Sequence, residues 1–125
     1  MFLFDIGAHT GEWAISNSYK NKILCVEASP ITYNTLVNKV SYYNNIIQLN
    51  AVVCNITADV VPFYHCDGLS PVSTMKKEWI LSPESWFHHH KDTLKEFFVK
   101  PVSLDSLISK YGTPDLIKID VEGAE

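Results

Sequence analysis

The sequence predicts an α/β fold on a mostly parallel sheet, and three observations carry that prediction. Apolar runs of strand length lie at residues 2–6, 23–27, 46–53 and 116–120, and helical patterns or helix caps fall between them. The first two of these runs carry acids at their carboxyl ends, Asp5 and Glu27. The first runs on into the glycine turn Gly7-Ala8-His9-Thr10-Gly11. Strands separated by helices pair in parallel through right-handed crossovers. With 125 residues, 46% of them hydrophobic, the chain is long enough for one core and too short for two domains.

Taken in order, residues 2–6 form the first strand, and residues 11–19 read as a helix in which Trp13, Ala14 and Ile15 are available to pack. After the second strand at 23–27, Ser29 and Pro30 start a helix, a capping hydroxyl before a proline at the first turn. Tyr33, Leu36, Val37 and Val40 follow the i, i+3, i+4, i+7 pattern of one buried face. The third strand spans 46–53 and a turn spans 55–59. Residues 60–64 return as a strand that Pro62 confines to an edge or a bulge. A short helix at 104–110, ended by Gly112 and Pro114, precedes the fourth strand at 116–120. Between His65 and Glu96 no period is sustained, and Trp79, Trp86, Phe87 and the run His88-His89-His90 fall there. Loops this long are usually functional or disordered, and the aromatic content argues against disorder. The segment at about 65–96 therefore reads as a variable insertion, a lid or a substrate-facing element.

Two strands ending in acids around a glycine loop form a nucleoside pocket: the bare backbone lets a ligand approach, and the second acid, Glu27, receives ribose hydroxyls. A dinucleotide fingerprint would need glycines at positions 7, 9 and 12, where this chain has Gly7, His9 and Glu12. A phosphate-binding loop would end in Gly-Lys-Ser/Thr, which is absent. What remains is Asp-x-Gly-x-x-x-Gly from Asp5 to Gly11, with an acid closing the next strand.

That pattern resembles motif I of class I S-adenosylmethionine-dependent methyltransferases, whose cofactor has no phosphate for a helix N-terminus to bind. The segments Phe4-Asp5-Ile6-Gly7-Ala8, Val26-Glu27-Ala28-Ser29-Pro30, Val102-Ser103-Leu104-Asp105-Ser106-Leu107, Pro114-Asp115-Leu116-Ile117 and Lys118-Ile119-Asp120-Val121-Glu122-Gly123-Ala124-Glu125 occur in the order of the FkbM family of methyltransferases. The resemblance covers roughly residues 2–60 and 97–125. It implies a Rossmann-like class I methyltransferase fold with strand order 3-2-1-4, and S-adenosyl-L-methionine as cofactor. Asp5, Gly7, Ala8, His9, Gly11, Glu27, Ala28, Asn50 and Ala51 are the cofactor-binding candidates. Asn50 and Ala51 end the third strand, where class I enzymes receive the adenine ring. Asp5 either contacts the methionine part of the cofactor or braces the loop. His9 stands where the family usually carries Asn; it either accepts a proton near neutral pH or fills the loop by hydrogen bonding.

Asp120 is the catalytic candidate. Ligands in open α/β sheets bind beyond the carboxyl ends of the strands, and the fourth strand adjoins the first in the implied order, so Asp120 lies beside the methyl donor. Methyl transfer at a sulfonium needs an acceptor oxygen positioned and its proton removed, and a carboxylate suits both jobs. Its alternative role is to cap the following segment. Lys118 shares a strand face with Asp120, and a lysine in a buried strand needs a partner. Pairing with Asp120 or Asp5 would keep those carboxylates ionised.

A net charge of −4 with ten lysines and no arginine gives no basic footprint for nucleic acid. Cys25, Cys54 and Cys66 are odd in number without metal-ligand spacing, Cys25 as a small buried hydrophobe. The three consecutive histidines cannot converge on one ion from either a helix or a strand, so no metal site is expected. A reducing, cytoplasmic setting fits, with no apolar run long enough for a membrane. The acceptor implied by the resemblance is a hydroxyl of a sugar, glycan or other small metabolite. Family members continue past Glu-Gly-Ala-Glu, so the resemblance implies a C-terminally truncated domain with an open edge on the fourth strand, prone to self-association. A non-catalytic remnant, or a subunit completed by another polypeptide, is the alternative reading. A nucleotide-dependent oxidoreductase is a third, opposed by His9 and Glu12.

Overall fold

The first two strands, β1 (Phe2–Ile6) and β2 (Lys22–Glu27), pair in parallel with Asp5 opposite Cys25 and Ile6 opposite Val26. The computed structural model describes residues 1–66, 72–83 and 93–121. Between the two strands runs α1 (Glu12–Ser16), shorter than the helix expected over 11–19. Its end is local chemistry. The Asn17 and Ser18 side chains donate to the carbonyls of Trp13 and Ile15, each at 2.8 Å, and such bonds compete with helix continuation.

After β2 comes α2 (Pro30–Val40), capped by Ser29, whose Oγ accepts the Thr32 N–H at 3.4 Å. Thr32, Leu36 and Val40 bury one helix face against the sheet. There Leu36 and Val40 join Leu3, Ile23, Cys25 and Ile46 in one core, where each fully buried aliphatic side chain contributes about 1.5–3 kcal/mol. The opposite face of the sheet presents Phe4, Ile6, Leu24 and Val26 to Leu107. Leu107 belongs to α4 (Leu104–Tyr111), capped by Ser103 and ended by Gly112.

The strand expected over 46–53 is two strands. β3 (Ile46–Asn50) stays parallel to β2, whereas β4 (Val52–Val53) leaves it to pair with β8 (Pro101–Val102). The break falls at Ala51, because Val52 and Cys54 take their carbonyl partners from Lys100 and Val102, both at 2.9 Å. The last strand, β9 (Leu116–Ile119), pairs in parallel with β1 and completes the order β3-β2-β1-β9, the expected 3-2-1-4. Leu116 and Ile119 on this edge strand are each half exposed.

The 65–96 stretch holds more regular structure than its sequence signals. β5 (Val61–Cys66) is the middle strand of an antiparallel sheet, between β6 (Val72–Thr74) and β7 (Leu94–Val99), with α3 (Lys77–Leu81) following β6. Pro62 is tolerated there because β6 pairs only with Tyr64 to Cys66, so at Pro62 the pairing runs to β7 alone. Trp86, Phe87 and the three consecutive histidines lie outside the described residues. Among the described residues, no helix is long and apolar enough to cross a membrane.

Candidate functional site

A cleft of about 760 Å³, open mouth included, lies at the carboxyl ends of β1 and β2. Its floor is Gly7, His9, Glu27, Ala28 and Ala51, with Asp120 and Val121 on one flank and Val52, Val53, Phe63, Thr74 and Met75 on the other. Six candidate residues of the sequence therefore meet here: Gly7, His9, Glu27, Ala28, Ala51 and Asp120. The other four, Asp5, Ala8, Gly11 and Asn50, are not part of this lining.

Glu27 is the last residue of β2 and only 5% exposed. Its Oε2 accepts the His9 N–H at 3.0 Å and its Oε1 accepts the Ser29 N–H at 3.3 Å. A carboxylate offers about four acceptor sites, so each oxygen keeps room for one more donor. Burial raises the Glu27 pKa above its ordinary value, against the two N–H donors that pull it down. The His9 backbone reaches Glu27 because His9 adopts a left-handed conformation, φ 54°. Asn and His are among the non-glycine residues enriched in that region, so the loop accepts a histidine at this position. The His9 ring is exposed, its Nδ1 at 3.3 Å from the Thr10 hydroxyl.

Gly7 has φ 79°, and a Cβ built on it would sit 2.0 Å from the Asp120 carbonyl oxygen. The missing side chain thus makes room for the chain leaving β9, as well as opening the cleft floor. Gly11 answers to packing: its Cβ would sit 2.8 Å from Leu36 Cδ1 and 3.0 Å from Val40 Cγ1 of α2. Ala8 is buried in the same core. The Asn50 Nδ2 donates to the carbonyls of Glu27, at 2.8 Å, and Ala28, at 3.0 Å, which clamps the end of β2 to β3.

Asp5 is fully buried; its Oδ1 accepts from Lys118 Nζ at 3.1 Å, and its Oδ2 has no hydrogen-bond partner. Of the two partners expected for Lys118, the structure selects Asp5. The pairing does not hold Asp5 in the ordinary carboxylate range. Burial raises its pKa, the Lys118 bond and charge lower it, and the Asp120 charge raises it again, with burial the largest effect. Asp120 is exposed, its N–H bonded to the Ile6 carbonyl at 2.9 Å. The segment it could cap, Glu122 onward, lies outside the described residues.

Phe63, Thr74 and Met75 went unread in the sequence as cleft residues. The apolar alternation around Val61 and Phe63 signals a strand, but nothing local says that this strand folds back over Glu27.

Among the described residues, the charged groups lining the cleft, Glu27 and Asp120, are both acids. These carboxylates accept hydrogen bonds and attract positive charge, which suits a ligand that offers hydroxyls and a cation and disfavours a phosphate. Comparison with curated proteins gives no match. The model of the family described as Methyltransferase FkbM domain matches residues 5–125. That span takes in Gly7, the Glu27 corner, the antiparallel sheet and Asp120, and the chain belongs to the FkbM methyltransferase family.

Proposed function

We propose that this chain uses S-adenosyl-L-methionine to methylate a hydroxyl oxygen on a sugar, glycan or other small metabolite. The observation that carries this reading is Glu27, a buried carboxylate at the sheet rim with both oxygens anchored by backbone N–H groups and one acceptor site free on each. That is the acceptor set for two neighbouring ribose hydroxyls. The two carboxylates of the described lining, Glu27 and Asp120, support a cationic, phosphate-free cofactor over a dinucleotide. Bound there, the cofactor supplies an electrophilic methyl group on a positively charged sulfur.

The chain's own residues then have separable jobs. Glu27 orients the ribose, Asn50 holds the strand end that carries Glu27, and Gly7 leaves the floor open toward Asp120. Asp120 would take the proton of the acceptor hydroxyl, whose oxygen would bond to the methyl carbon as the carbon–sulfur bond breaks and the sulfur leaves as a neutral thioether. Its exposure leaves room for an acceptor to enter. Asp5, paired with Lys118 outside the lining, braces the loop.

Calorimetry tests the assignment. S-adenosylhomocysteine should bind the native chain, and Glu27→Ala should weaken it roughly ten- to a hundred-fold, the loss expected for charge-assisted hydrogen bonds. NADH should not compete. Tight NADH binding, or an unchanged affinity in Glu27→Ala, would sink the assignment.

A further inference from the structure

Ser29 ties the Glu27 corner to a residue far from it in the sequence. The Ser29 N–H donates to Glu27 Oε1 at 3.3 Å, and the Ser29 Oγ accepts the Thr32 N–H at 3.4 Å. Both bonds are long for their kind, so a small shift of Ser29 would break either. The third contact is the shortest: Ser29 Oγ lies 3.1 Å from Nδ1 of His65, on β5. Ser29 is fully buried and His65 is 3% exposed. A hydroxyl cut off from water places its hydrogen on an acceptor. With Oγ already accepting from Thr32, that acceptor is His65 Nδ1. Side chains two apart on a strand share a face, so His65 and Phe63, which lines the cleft, both look from the antiparallel sheet onto the Glu27 corner.

We propose that His65 is a positioning residue of the cofactor site: by accepting the Ser29 hydroxyl it fixes Ser29, whose N–H in turn aims the Glu27 carboxylate at the ribose. The inference rests on the S-adenosylmethionine reading of the Glu27 corner and deepens it. His65 itself is not part of the cleft lining. The contacts run from β5 through the N-cap of α2 to the last residue of β2, so the antiparallel sheet acts on the ligand through the parallel one. A histidine that served packing alone could give way to an apolar side chain of similar size. One that holds a hydroxyl needs a polar atom where His65 carries Nδ1, and the asparagine side chain supplies one there.

The test separates the hydrogen bond from packing. S-adenosylhomocysteine is titrated by calorimetry into the native chain, His65→Leu, His65→Asn, Glu27→Gln and the double variant His65→Leu with Glu27→Gln. Ionisation of Glu27 is followed in the ligand-free chains by carbon-13 NMR of its carboxyl group. His65→Leu should weaken the ligand about three- to ten-fold, the loss of one hydrogen bond. His65→Asn, although smaller, should stay within about two-fold of the native affinity. Beside Glu27→Gln, His65→Leu should cost nothing more, because residues that act through one contact do not add. The Ser29 N–H lowers the Glu27 pKa, so the Glu27 titration should move to higher pH in His65→Leu and stay in place in His65→Asn. His9 and Asp5, whose charges also act on Glu27, are the same in both. Thermal melts show which variants are folded. If His65→Leu is not, Ser29→Ala removes the same bond from the other side and should move the Glu27 titration in the same direction. Equal weakening in His65→Leu and His65→Asn, or a His65→Leu loss that persists in full beside Glu27→Gln, would make His65 a packing residue and leave the ribose assignment standing. If S-adenosylhomocysteine fails to bind the native chain, the cofactor reading falls, and the Glu27 titration still decides whether His65 holds the corner: an unmoved titration in His65→Leu or Ser29→Ala overturns it.

Discussion

Asp5 and Glu27 are alike in sequence, each an acid at the end of an apolar strand, and the structure gives them opposite settings. Asp5 lies opposite Cys25, so Glu27, two residues farther along β2, points to the same face of the sheet about 6.6 Å nearer its carboxyl rim. That displacement decides everything else. At the rim β1 has already turned away at Gly7, and Glu27 meets backbone N–H donors and an open cleft. Two rungs lower, Asp5 meets Lys118, and one of its oxygens is left without a partner. The same side-chain chemistry thus yields a carboxylate that lines the cleft in one place and a buried partner of Lys118 in the other.

The strongest way to break this contrast is at the residue between the two corners. In Gly7→Ala the new Cβ would overlap the Asp120 carbonyl at a positive φ, so both backbone strands must shift. A loss of about 3 kcal/mol or more is expected, with both corners disturbed at once. Thermal melting measures it, and a native-like melting temperature would show that β9 can retreat.

Next in size is Lys118→Met, which leaves Asp5 buried without its cation. Removing one member of a buried pair is costly, and because Lys118 keeps 27% of its side-chain exposure the expected loss is about 2–3 kcal/mol. Cofactor affinity should change far less than stability. A variant that melts normally but loses S-adenosylhomocysteine binding would place the Asp5 corner in the site itself.

The pH dependence separates the two corners further. Both acids have raised pKa values in the folded chain, chiefly from burial. The folded state therefore holds protons that the unfolded chain has lost, and this contribution to stability is fully present below the unfolded values, 3.8 for Asp5 and 4.5 for Glu27. It is lost as pH rises through the raised folded values. Denaturant titrations from pH 4 to 7 should show a flatter profile for Asp5→Asn and for Glu27→Gln than for the native chain. Affinity for S-adenosylhomocysteine should run the other way, rising with pH as Glu27 ionises. That rise should vanish in Glu27→Gln and persist in Asp5→Asn; the reverse pattern would exchange the roles of the two acids.

The smallest effect is expected at the surface. Lys39 Nζ lies 2.9 Å from Glu12 Oε1 with both side chains about half exposed or more, and Lys39→Ala should cost less than about 0.5 kcal/mol. The Glu12 carboxyl is held down at about 2, first by the Thr10 hydroxyl and then by Lys39. Its share of stability is present above 4.5 and lost as pH falls through about 2. Acid titration of the melting temperature in Lys39→Ala checks this, and a large shift would mean that the pair fixes the packing of α1 on α2.

Much of the parallel sheet was legible because its signals are local. β1 matches its predicted bounds, β2 begins one residue early at Lys22, Ser29 and Pro30 start α2 as their chemistry demands, and Gly112 ends α4. The candidate site was legible in part: the cleft has Gly7, His9, Glu27, Ala28, Ala51 and Asp120 in its lining, but Ala8, Gly11 and Asn50 serve packing and strand clamping. The packing of Gly11 against Leu36 and Val40 was not legible, because those residues lie a helix away in the sequence.

By itself the sequence determined the elements whose causes lie within a few residues: alternation and apolar runs for the strands, the cap hydroxyl and proline of α2, and the acids at two strand ends. Tertiary structure alone decided the break at Ala51, the antiparallel sheet β6-β5-β7, the choice of Asp5 as partner of Lys118, and the apolar flank at Phe63 and Met75. The reason is physical. Each of these depends on which distant backbone supplies a hydrogen bond or covers a side chain, and Lys100, Glu96 and Asp5 lie dozens of residues from Val52, Tyr64 and Lys118. No local periodicity carries that information.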